Sequence, residues 1–450
     1  MNSSLLKSAV VAALGGLLFG FDTAVISGTI ADLTHTYHLT PGLLGVTVSS
    51  ALLGTVFGAM FAGVPSERFG PRNTLRGLAV LYVISAIGSG LAWSWGALVF
   101  FRILVGFAIG GSSVLGPMYI AEVSPAKKRG WLVAFFQFNV VVGVLLAYVS
   151  NYLFGLANLG ALEWRWMLGV AALPAVLFFV MLFGIPNSPR WLIRKGRNEE
   201  GLRVLQLIGE ERPHDQLHSI QDSVRVEERA AGEKLLTRRY AFPIFLAVTI
   251  GFLNQLSGIN AIIYYLNFIF ASANYGRVSA NLQSVAVGIT LLVFTTAGML
   301  TIDRVGRKTL LLIGSIGTGG CLLGLSFIFQ RREHREFLLW LLIGYIAFFA
   351  LSQGTVIWVY ISEVFPNTVR AKGQSLGSLS HWFMNALISL LFPLIASNSP
   401  SYPFLFFAVM MAVQFVVVLF VYPETKGLTL EEMHRVLKLP ASTQPAVPST

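Results

Sequence analysis

The stretch Glu-Arg-Phe-Gly-Pro-Arg at 67–72 is matched in the second half of the chain by Asp-Arg-Val-Gly-Arg-Lys at 303–308. A second pair follows each of them, with Glu-Val-Ser-Pro at 122–125 answered by Glu-Val-Phe-Pro at 363–366. Because the marks recur in the same order, we predict a chain built from two similar halves. A parallel duplication of this kind in a membrane protein places a solute site between the halves, near the middle of the bilayer.

Long apolar runs separate these marks. A helix of about 18 or more apolar residues can cross the hydrocarbon layer. With 55% hydrophobic and 12% charged residues and a mean hydropathy of +0.69, the chain carries too little charge for a soluble protein of 450 residues. We therefore predict an all-α membrane protein with twelve transmembrane helices in two pseudo-symmetric six-helix bundles. The predicted spans are 8–31, 42–65, 73–93, 96–120, 131–154, 165–185, 241–272, 280–302, 308–329, 337–361, 373–396 and 403–422.

These spans divide the chain into residues 1–188, a hydrophilic linker at 189–240, and residues 241–425. The pattern of the linker predicts short amphipathic cytoplasmic helices, which either form a solvated connection or latch one face of the molecule. The tail at 426–450 ends in a Pro/Ser/Thr-rich segment that we expect to be partly disordered. Such a tail leaves little room for a signalling domain.

The distribution of charge indicates membrane orientation rather than a nucleic-acid partner for this chain of net charge +11. If the N-terminus is inside, all but six of the 32 Lys and Arg residues fall in cytoplasmic segments, the six being Arg102, Arg165, Arg277, Arg331, Arg332 and Arg335. Since cytoplasmic loops are enriched in Lys and Arg, both termini are predicted to be cytoplasmic. The first span is expected to be retained rather than cleaved as a signal peptide.

Several chemical classes are excluded by what the sequence lacks. Cys321 is the only cysteine, so neither an intrachain disulfide nor a CxxC metal site can form. The spans contain no HExxH motif, and no phosphate-binding loop is present. We therefore predict that the protein is not an enzyme, binds no metal or cofactor, and does not bind ATP as its energy source.

Five motifs follow one another in a specific order. They are Gly-Phe-Asp-Thr-Ala-Val-Ile-Ser-Gly at 20–28, Pro-Met-Tyr-Ile-Ala-Glu at 117–122, Pro-Asn-Ser-Pro-Arg-Trp-Leu at 186–192, Gln-Leu-Ser-Gly-Ile-Asn at 255–260, and Pro-Glu-Thr-Lys-Gly-Leu at 423–428. With them the chain resembles the sugar porter family of the major facilitator superfamily, and within it the bacterial proton-coupled monosaccharide symporters. The resemblance implies the major facilitator fold, a monosaccharide substrate, a proton as coupling ion, and a monomer in the bacterial cell membrane.

Asp22 is the only acid in the middle of a predicted span, and an intramembrane carboxylate is a functional candidate by default. Arg102 lies at a similar depth when about 1.5 Å is counted per helical residue. Burial disfavours a charged carboxylate and a nearby guanidinium favours it, so an arginine that approaches and withdraws would let the acid bind and release a proton. The alternative is a structural ion pair. In the resembling symporters this aspartate is the protonation site.

Sugar recognition needs amides, which both donate and accept hydrogen bonds, and aromatic faces that cover the apolar side of the ring. Gln255 and Asn260 would stand about 140° apart on a regular helix, so the seventh span is predicted to break at Ser257 and Gly258. For single aromatic residues, packing or lipid contact remains an alternative, and His381 could bind sugar, titrate or face a water-filled cavity. The candidate substrate-binding residues, taken from this chemistry and from the resemblance, are Phe19, Gln137, Asn254, Gln255, Asn260, Tyr264, Phe349, Gly354, Trp358, His381, Trp382 and Asn385.

The cytoplasmic face carries a predicted gating network. It would hold the halves together on the inside when the protein is open to the outside, and would separate in the inward-open state. Enrichment of basic residues for membrane orientation alone is the alternative. The network comprises the pairs Glu122 with Arg129 and Glu363 with Arg370, beside the turns that carry Arg72 and Arg307.

Three departures from the family pattern bear on substrate and coupling. Leu291 stands where family members commonly have a sugar-contacting Asn, and Val144 where the xylose porter has a second Gln. An apolar wall in place of two hydroxyl partners favours a hexose such as glucose over a pentose. Ala171 stands in place of a second acid of the xylose porter, so Asp22 is expected to couple alone. The alternatives are a facilitative sugar uniporter, a symporter for xylose or another pentose, and a membrane sugar sensor.

Overall fold

Twelve long helical segments form the computed structural model, which describes residues 2–230, 234–366 and 369–427 together with positions 432 and 437. The expected disorder of the tail therefore lies outside the described residues. The first half contains α1 Ser3–Tyr37, α2 Pro41–Phe61, α3 Pro71–Gly90, α4 Trp95–Val123, α5 Ala126–Ala157 and α6 Gly160–Gly184. The second half contains α7 Arg238–Tyr264, α8 Arg277–Val305, α9 Arg307–Arg331, α10 Arg335–Glu363, α11 Arg370–Asn398 and α12 Ser401–Phe420.

The all-α prediction is confirmed, since the described residues contain no strand. Eleven of the segments are long and apolar enough to cross a membrane. The remaining one, α3, has 20 residues that include Arg72 and Arg76 near its start, which makes it less apolar than the others. Helix α1 runs beyond the predicted span 8–31 at both ends, from an N-cap at Asn2 to His38, which has a left-handed backbone with φ of 50°.

Two helices of the second half are interrupted. Helix α7 breaks after Leu256 and resumes at Ile259, with φ of 86° at Gly258 between the two segments. This confirms the break predicted at Ser257 and Gly258, and only glycine adopts such a backbone without strain. A further helix, Leu266–Ser272, continues α7 toward the next loop. Helix α10 is also interrupted, at Ser352, where φ is −116° and ψ is −90°.

Glycines allow close contacts inside the first half. A Cβ on Gly20 of α1 would lie 1.8 Å from the carbonyl oxygen of Val140 on α5, and one on Gly106 of α4 would lie 1.8 Å from that of Ala51 on α2. Small residues at helix contacts let backbones approach in membrane proteins. The pairs α1 with α5 and α2 with α4 are therefore held in register by backbone contact.

The two ends of the molecule can be distinguished by the helix termini and short helices that lie there. The end that carries Ser3, Pro71 and the short helices Pro189–Arg194, Asn198–Leu207 and Pro213–Ala230 is termed the linker face. There the side-chain amide of Asn2 donates to the carbonyl of Leu207 at 3.0 Å, and Trp191 Nε1 donates to the carbonyl of Glu67 at 2.9 Å. The opposite end, which carries Tyr37, Pro41 and Arg277, is termed the distal face.

The two halves share one hydrophobic core toward the distal face. That core contains Val25 and Leu33 of the first half together with Ile262 and Phe270 of the second. Helix α2 packs on α11, α5 packs on α8, and α1 packs on the segment of α7 that follows the break. Toward the linker face each half has a core of its own, around Leu75, Leu115 and Leu192 in the first and around Leu246, Tyr360 and Val418 in the second. Among the described residues, the halves thus share a core on the distal side and have separate cores on the linker side.

Candidate functional site

Asp22 on α1 and Arg102 on α4 form a buried ion pair. Nη1 of Arg102 donates to Oδ1 of Asp22 at 2.6 Å, and the residues are 2% and 8% exposed, respectively. The buried Nε of Arg102 has no hydrogen-bond partner among the described residues. The contact is therefore made through one nitrogen rather than through the paired geometry that makes arginine–carboxylate contacts strongest. A small displacement of either helix can break it.

The ion pair opens onto a cavity between the two halves. The first half contributes Phe19, Asp22, Thr23 and Arg102 to its wall, and the second half contributes Tyr264 and Trp382. The rings of Phe19 and Trp382 meet across this boundary with their centroids 5.5 Å apart. The proton-binding candidate Asp22 therefore faces the same space as three of the sugar-binding candidates, Phe19, Tyr264 and Trp382.

The break in α7 brings together amides that would point to different faces of a regular helix. Nδ2 of Asn260 donates to Oε1 of Gln255 at 3.0 Å, and Nε2 of Gln255 donates to Oδ1 of Asn254 at 3.2 Å. Nδ2 of Asn254 in turn donates to the backbone carbonyl of Gln353 at 3.2 Å, next to the interruption in α10. A continuous chain of hydrogen bonds therefore links the two broken helices.

His381 of α11 lies between aromatic rings and beside this amide chain. Its ring centroid is 5.0 Å from that of Trp358 and 5.2 Å from that of Trp382. Nε2 of Gln255 lies 3.1 Å from Nε2 of His381 and 3.3 Å from Nδ1. Because an amide nitrogen only donates, the ring nitrogen that faces it must accept, and in a neutral imidazole the other nitrogen carries the hydrogen. His381 thus keeps one N–H donor for another partner.

Gln137 differs from the other amides. It is half-buried on α5 and makes no side-chain hydrogen bond to a described residue, which leaves both ends of its amide free for a solute. On the other side of the boundary, Nδ2 of the fully buried Asn385 donates to the hydroxyl of Tyr264 at 3.3 Å. The structure thus has one amide free to bind and another that orients a tyrosine of the cavity wall.

The remaining candidates cluster at the interruption of α10. Phe349 is buried at 7% exposure, and a Cβ on Gly354 would lie 3.0 Å from its ring. Trp358, one helical turn further on, is 36% exposed, whereas Trp382 is 6% exposed. Of the two indoles, that of Trp358 is therefore the more accessible to solvent or solute.

The gating candidates at the linker face are arranged differently from the prediction. Glu363 pairs with Arg307, through Nη2 at 2.8 Å and Nε at 3.2 Å, whereas Nε of Arg370 donates to the carbonyl of Phe365 at 3.3 Å. The turn before α9 brings Arg307 onto the carboxylate of Glu363, and the pairing of Glu363 with Arg370 stays a prediction for the state that is open to the outside. Glu424 closes this cluster by accepting the backbone N–H of Arg307 at 2.9 Å.

In the first half, Nη1 of Arg72 donates to the carbonyl of Ile185 at 3.1 Å. Glu122 is half-buried at the end of α4, and Arg129 is exposed near the start of α5. The contacts of Arg72, Arg307 and Glu363 join residues of the same half. This arrangement agrees with the separate cores at the linker face.

A charged group that the sequence analysis missed joins the halves at the distal face. Nη2 of Arg277 at the start of α8 lies 2.9 Å from Oε1 of Glu163 on α6 and 2.5 Å from Oδ2 of Asp32 on α1. We term these three residues the distal ion cluster. Nearby, Nδ2 of Asn281 donates to the carbonyl of Asn151 at 3.3 Å and adds a contact between α8 and α5. The predicted spans 8–31 and 165–185 stop beside both acids, so the acids looked like ordinary loop residues.

Comparison with known proteins places this arrangement in context. The family described as "Sugar (and other) transporter" matches residues 8–437. The arabinose-proton symporter of Bacillus subtilis is 36% identical, over 94% of this chain and 93% of that protein. The D-xylose-proton symporter of Escherichia coli is 34% identical, over 96% of both. The solved inward-open structure of the E. coli xylose transporter superimposes with a TM-score of 0.86 at 32% identity, covering 96% of this chain and 99% of that one.

Proposed function

The chain belongs to the sugar porter family of the major facilitator superfamily, and from this we propose that it carries a monosaccharide into the cell together with a proton. The observation that supports the proposal most directly is the buried pair of Asp22 and Arg102, which faces a cavity formed by both halves. A family relative that moves sugar without a proton has no need of an intramembrane carboxylate, which is costly to bury.

We further propose that both termini are cytoplasmic and that the protein lies in the bacterial cell membrane. The excess of Lys and Arg at the linker face supports this orientation. The linker face is then the cytoplasmic side, and the separate cores there belong to an inward-open state. Likeness to an inward-open transporter supports the same assignment.

Coupling is proposed to work through the carboxylate of Asp22. When the cavity is open to the outside, a proton that binds Asp22 removes the charge that attracts Arg102, and the two side chains can then separate. Sugar binding and closure of the distal face carry both ligands to the inside. The ion pair of the inward-open structure, at 2.6 Å, is the arrangement expected after the proton has left. Each conformation is favoured by the ligands that bind it better.

The sugar is proposed to lie between the free amide of Gln137 and the amide chain of α7. Gln255 and Asn260 would exchange their mutual hydrogen bond for bonds to a sugar hydroxyl. The indoles of Trp358 and Trp382 and the ring of Phe19 would cover the apolar face of the sugar. A wrong solute would leave some of these amides without a hydrogen-bond partner. Each unpaired amide would weaken the binding of that solute by about 1 to 3 kcal/mol. Tyr264, oriented by Asn385, borders the same cavity.

The identity of the sugar is the finer part of the proposal. Leu291 and Val144, in place of two polar family residues, favour a hexose such as glucose. Both side chains are packed in the core shared by the halves, which makes any effect on the sugar indirect. The named relatives carry arabinose and xylose, and that supports a pentose. Competition of unlabelled D-glucose, D-galactose, D-xylose and L-arabinose against a labelled sugar in purified protein decides between them.

Reconstitution in proteoliposomes tests the whole proposal. Labelled monosaccharides are presented with and without an inward-directed proton gradient, and we expect accumulation above the external concentration only with the gradient. Equilibration at the same rate with and without the gradient would instead identify a facilitative uniporter. Absence of transport of every monosaccharide tested would contradict the proposal.

A further inference from the structure

Both polar atoms of the Asn254 side chain have partners inside the second half of the protein. Its Oδ1 accepts from Nε2 of Gln255 at 3.2 Å, and its Nδ2 donates to the carbonyl of Gln353 at 3.2 Å. The residue is 5% exposed. It lines not the cavity between the halves but a second cavity inside the second half, together with Gln414 and Tyr422. A direct contact with a solute in the central cavity would therefore require the Asn254 side chain to reorient.

Asn254 lies where two irregular segments meet. It precedes the break of α7 at Gly258, and it bonds to the first residue of the α10 segment that follows the interruption at Ser352. Because Gln353 belongs to a different helix, the bond from Asn254 fixes its own side chain relative to α10. The Oδ1 of that fixed side chain then faces Gln255.

We propose that Asn254 is a positioning residue that sets the orientation of the Gln255 amide. An amide can present its oxygen and nitrogen in either of two ways, and an acceptor beside one end selects the arrangement with nitrogen there. With Nε2 turned to Asn254, Oε1 of Gln255 is turned to Asn260, where it accepts at 3.0 Å. Gln255 therefore offers the sugar site a defined pattern of donor and acceptor. The inference rests on the proposed function, since it concerns the same sugar site.

A double-mutant cycle separates positioning from direct contact. The variants are Asn254→Ala, Gln255→Ala and the two combined, and the measurement is the Kd of D-glucose and of D-xylose for purified protein. We expect Asn254→Ala alone to weaken binding about five-fold, as for the loss of one hydrogen bond. When Asn254→Ala is added to Gln255→Ala, the Kd should not change further, because no Gln255 amide remains to be positioned. Effects that multiply in the double variant would overturn the proposal.

Gln414→Ala is the matched control. Gln414 lines the same small cavity, but its Nε2 donates to Ser315 at 3.0 Å. Damage to the cavity alone would therefore affect both variants, whereas loss of positioning affects only Asn254→Ala. In transport assays Asn254→Ala should raise KM and leave the rate at saturating sugar unchanged. An equal rise in KM for Gln414→Ala would contradict the assignment.

A structure of the Asn254→Ala variant tests the inference without any sugar. We expect the Gln255 side chain to lose its single orientation and its contact with Asn260, although the His381 ring still lies 3.1 Å from its Nε2. If Gln255 keeps the same rotamer and the same bond to Asn260, the proposal is wrong even if the protein transports sugar. If the orientation is lost but no monosaccharide binds the wild-type protein, positioning holds and the proposed function fails.

Discussion

At the scale of single residues, the pair of Asp22 and Arg102 combines deep burial with a weak form of contact. A charge in a membrane interior needs its partner, because an unpaired ion there is strongly disfavoured. The guanidinium nonetheless uses one nitrogen toward the carboxylate. Its Nε has no partner in the described part of the chain. The pair is stable enough to persist and is attached at one point, which suits a contact that must open in each transport cycle.

We predict that Asp22→Asn abolishes accumulation of sugar driven by a proton gradient and leaves counterflow exchange measurable. The amide keeps hydrogen bonding toward Arg102 but cannot bind and release a proton. Uptake by proteoliposomes with a gradient, compared with exchange of labelled for unlabelled sugar, is the measurement. Glu336→Gln, at an exposed acid of the distal face, is the control. A variant of Asp22 that still concentrates sugar would show that coupling lies elsewhere.

Gln137→Ala and Gln255→Ala are each expected to raise the Kd for sugar by about 5- to 150-fold, which corresponds to roughly 1 to 3 kcal/mol. Each removes an amide that we place at the sugar. Asn139→Ala serves as control two residues after Gln137, since the Asn139 amide donates to the carbonyl of Phe135 at 2.9 Å within its own helix. Binding that is unchanged in both Gln variants, measured calorimetrically, would move the site.

The contacts of these residues could be predicted from the sequence to different degrees. The contact of Asp22 with Arg102 could be anticipated, because few charges occur within spans and their depths can be counted. The partner of Glu363 could not, since Arg307 and Arg370 are both near a helix end and only the fold selects one. The roles of the site residues themselves stay predictions until the variants are measured.

At the scale of elements, the interruption of α7 is the feature on which the site depends. Gly258 has φ of 86°, and a Cβ there would lie 2.3 Å from the ring of Phe407. The break was predictable, because Gln255 and Asn260 could not otherwise share a face. The interruption of α10 was not, since Ser352 has no distinctive sequence signal and its backbone is held by the surrounding helices.

Gly258→Ala is predicted to destabilise the protein and to weaken sugar binding. The left-handed backbone alone costs a non-glycine residue about 1 to 2 kcal/mol, and the contact with Phe407 adds to it. Gly77→Ala is the control, because a Cβ on Gly77 of α3 meets no atom within 4 Å. Thermal unfolding in detergent is the measurement. In a Phe407→Ala background, which lacks the clashing ring, Gly258→Ala should still lower the stability, and no loss there would show that backbone strain is absent.

At the scale of the whole molecule, the two halves are joined at one face and separate at the other. The duplicated marks predicted two halves and a site between them, but they carry no information on which face is closed. Which face is closed depends on small free-energy differences between conformations that the same sequence allows. The distal ion cluster, which joins α1 and α6 to α8, is the charged part of the closed face.

We predict that Arg277→Gln shifts the protein toward the outward-open state by about five-fold in the ratio of states, as for the loss of an ion pair worth about 1 kcal/mol. Spin labels at Thr36→Cys and Glu333→Cys, in a Cys321→Ser background, report the distance across the distal face. The control is Arg335→Gln, on the same face. Arg335 donates to the carbonyl of Ala273 within its own half. An unchanged distance distribution in Arg277→Gln would exclude a role in closure.

The shared core toward the distal face has a consequence for how affinities should be interpreted. If the linker face is cytoplasmic, as proposed above, a ligand from the cytoplasm meets only the molecules that are open at that face. Its apparent Kd is then the intrinsic Kd divided by the fraction of such molecules. Ile262, buried in the shared core, contributes to that fraction. Trimming it to Val would make cytoplasmic ligands seem weaker and external ligands tighter. If variants were tested for ligand affinity from one side of the membrane only, Ile262 would then be mistaken for a residue that contacts the ligand.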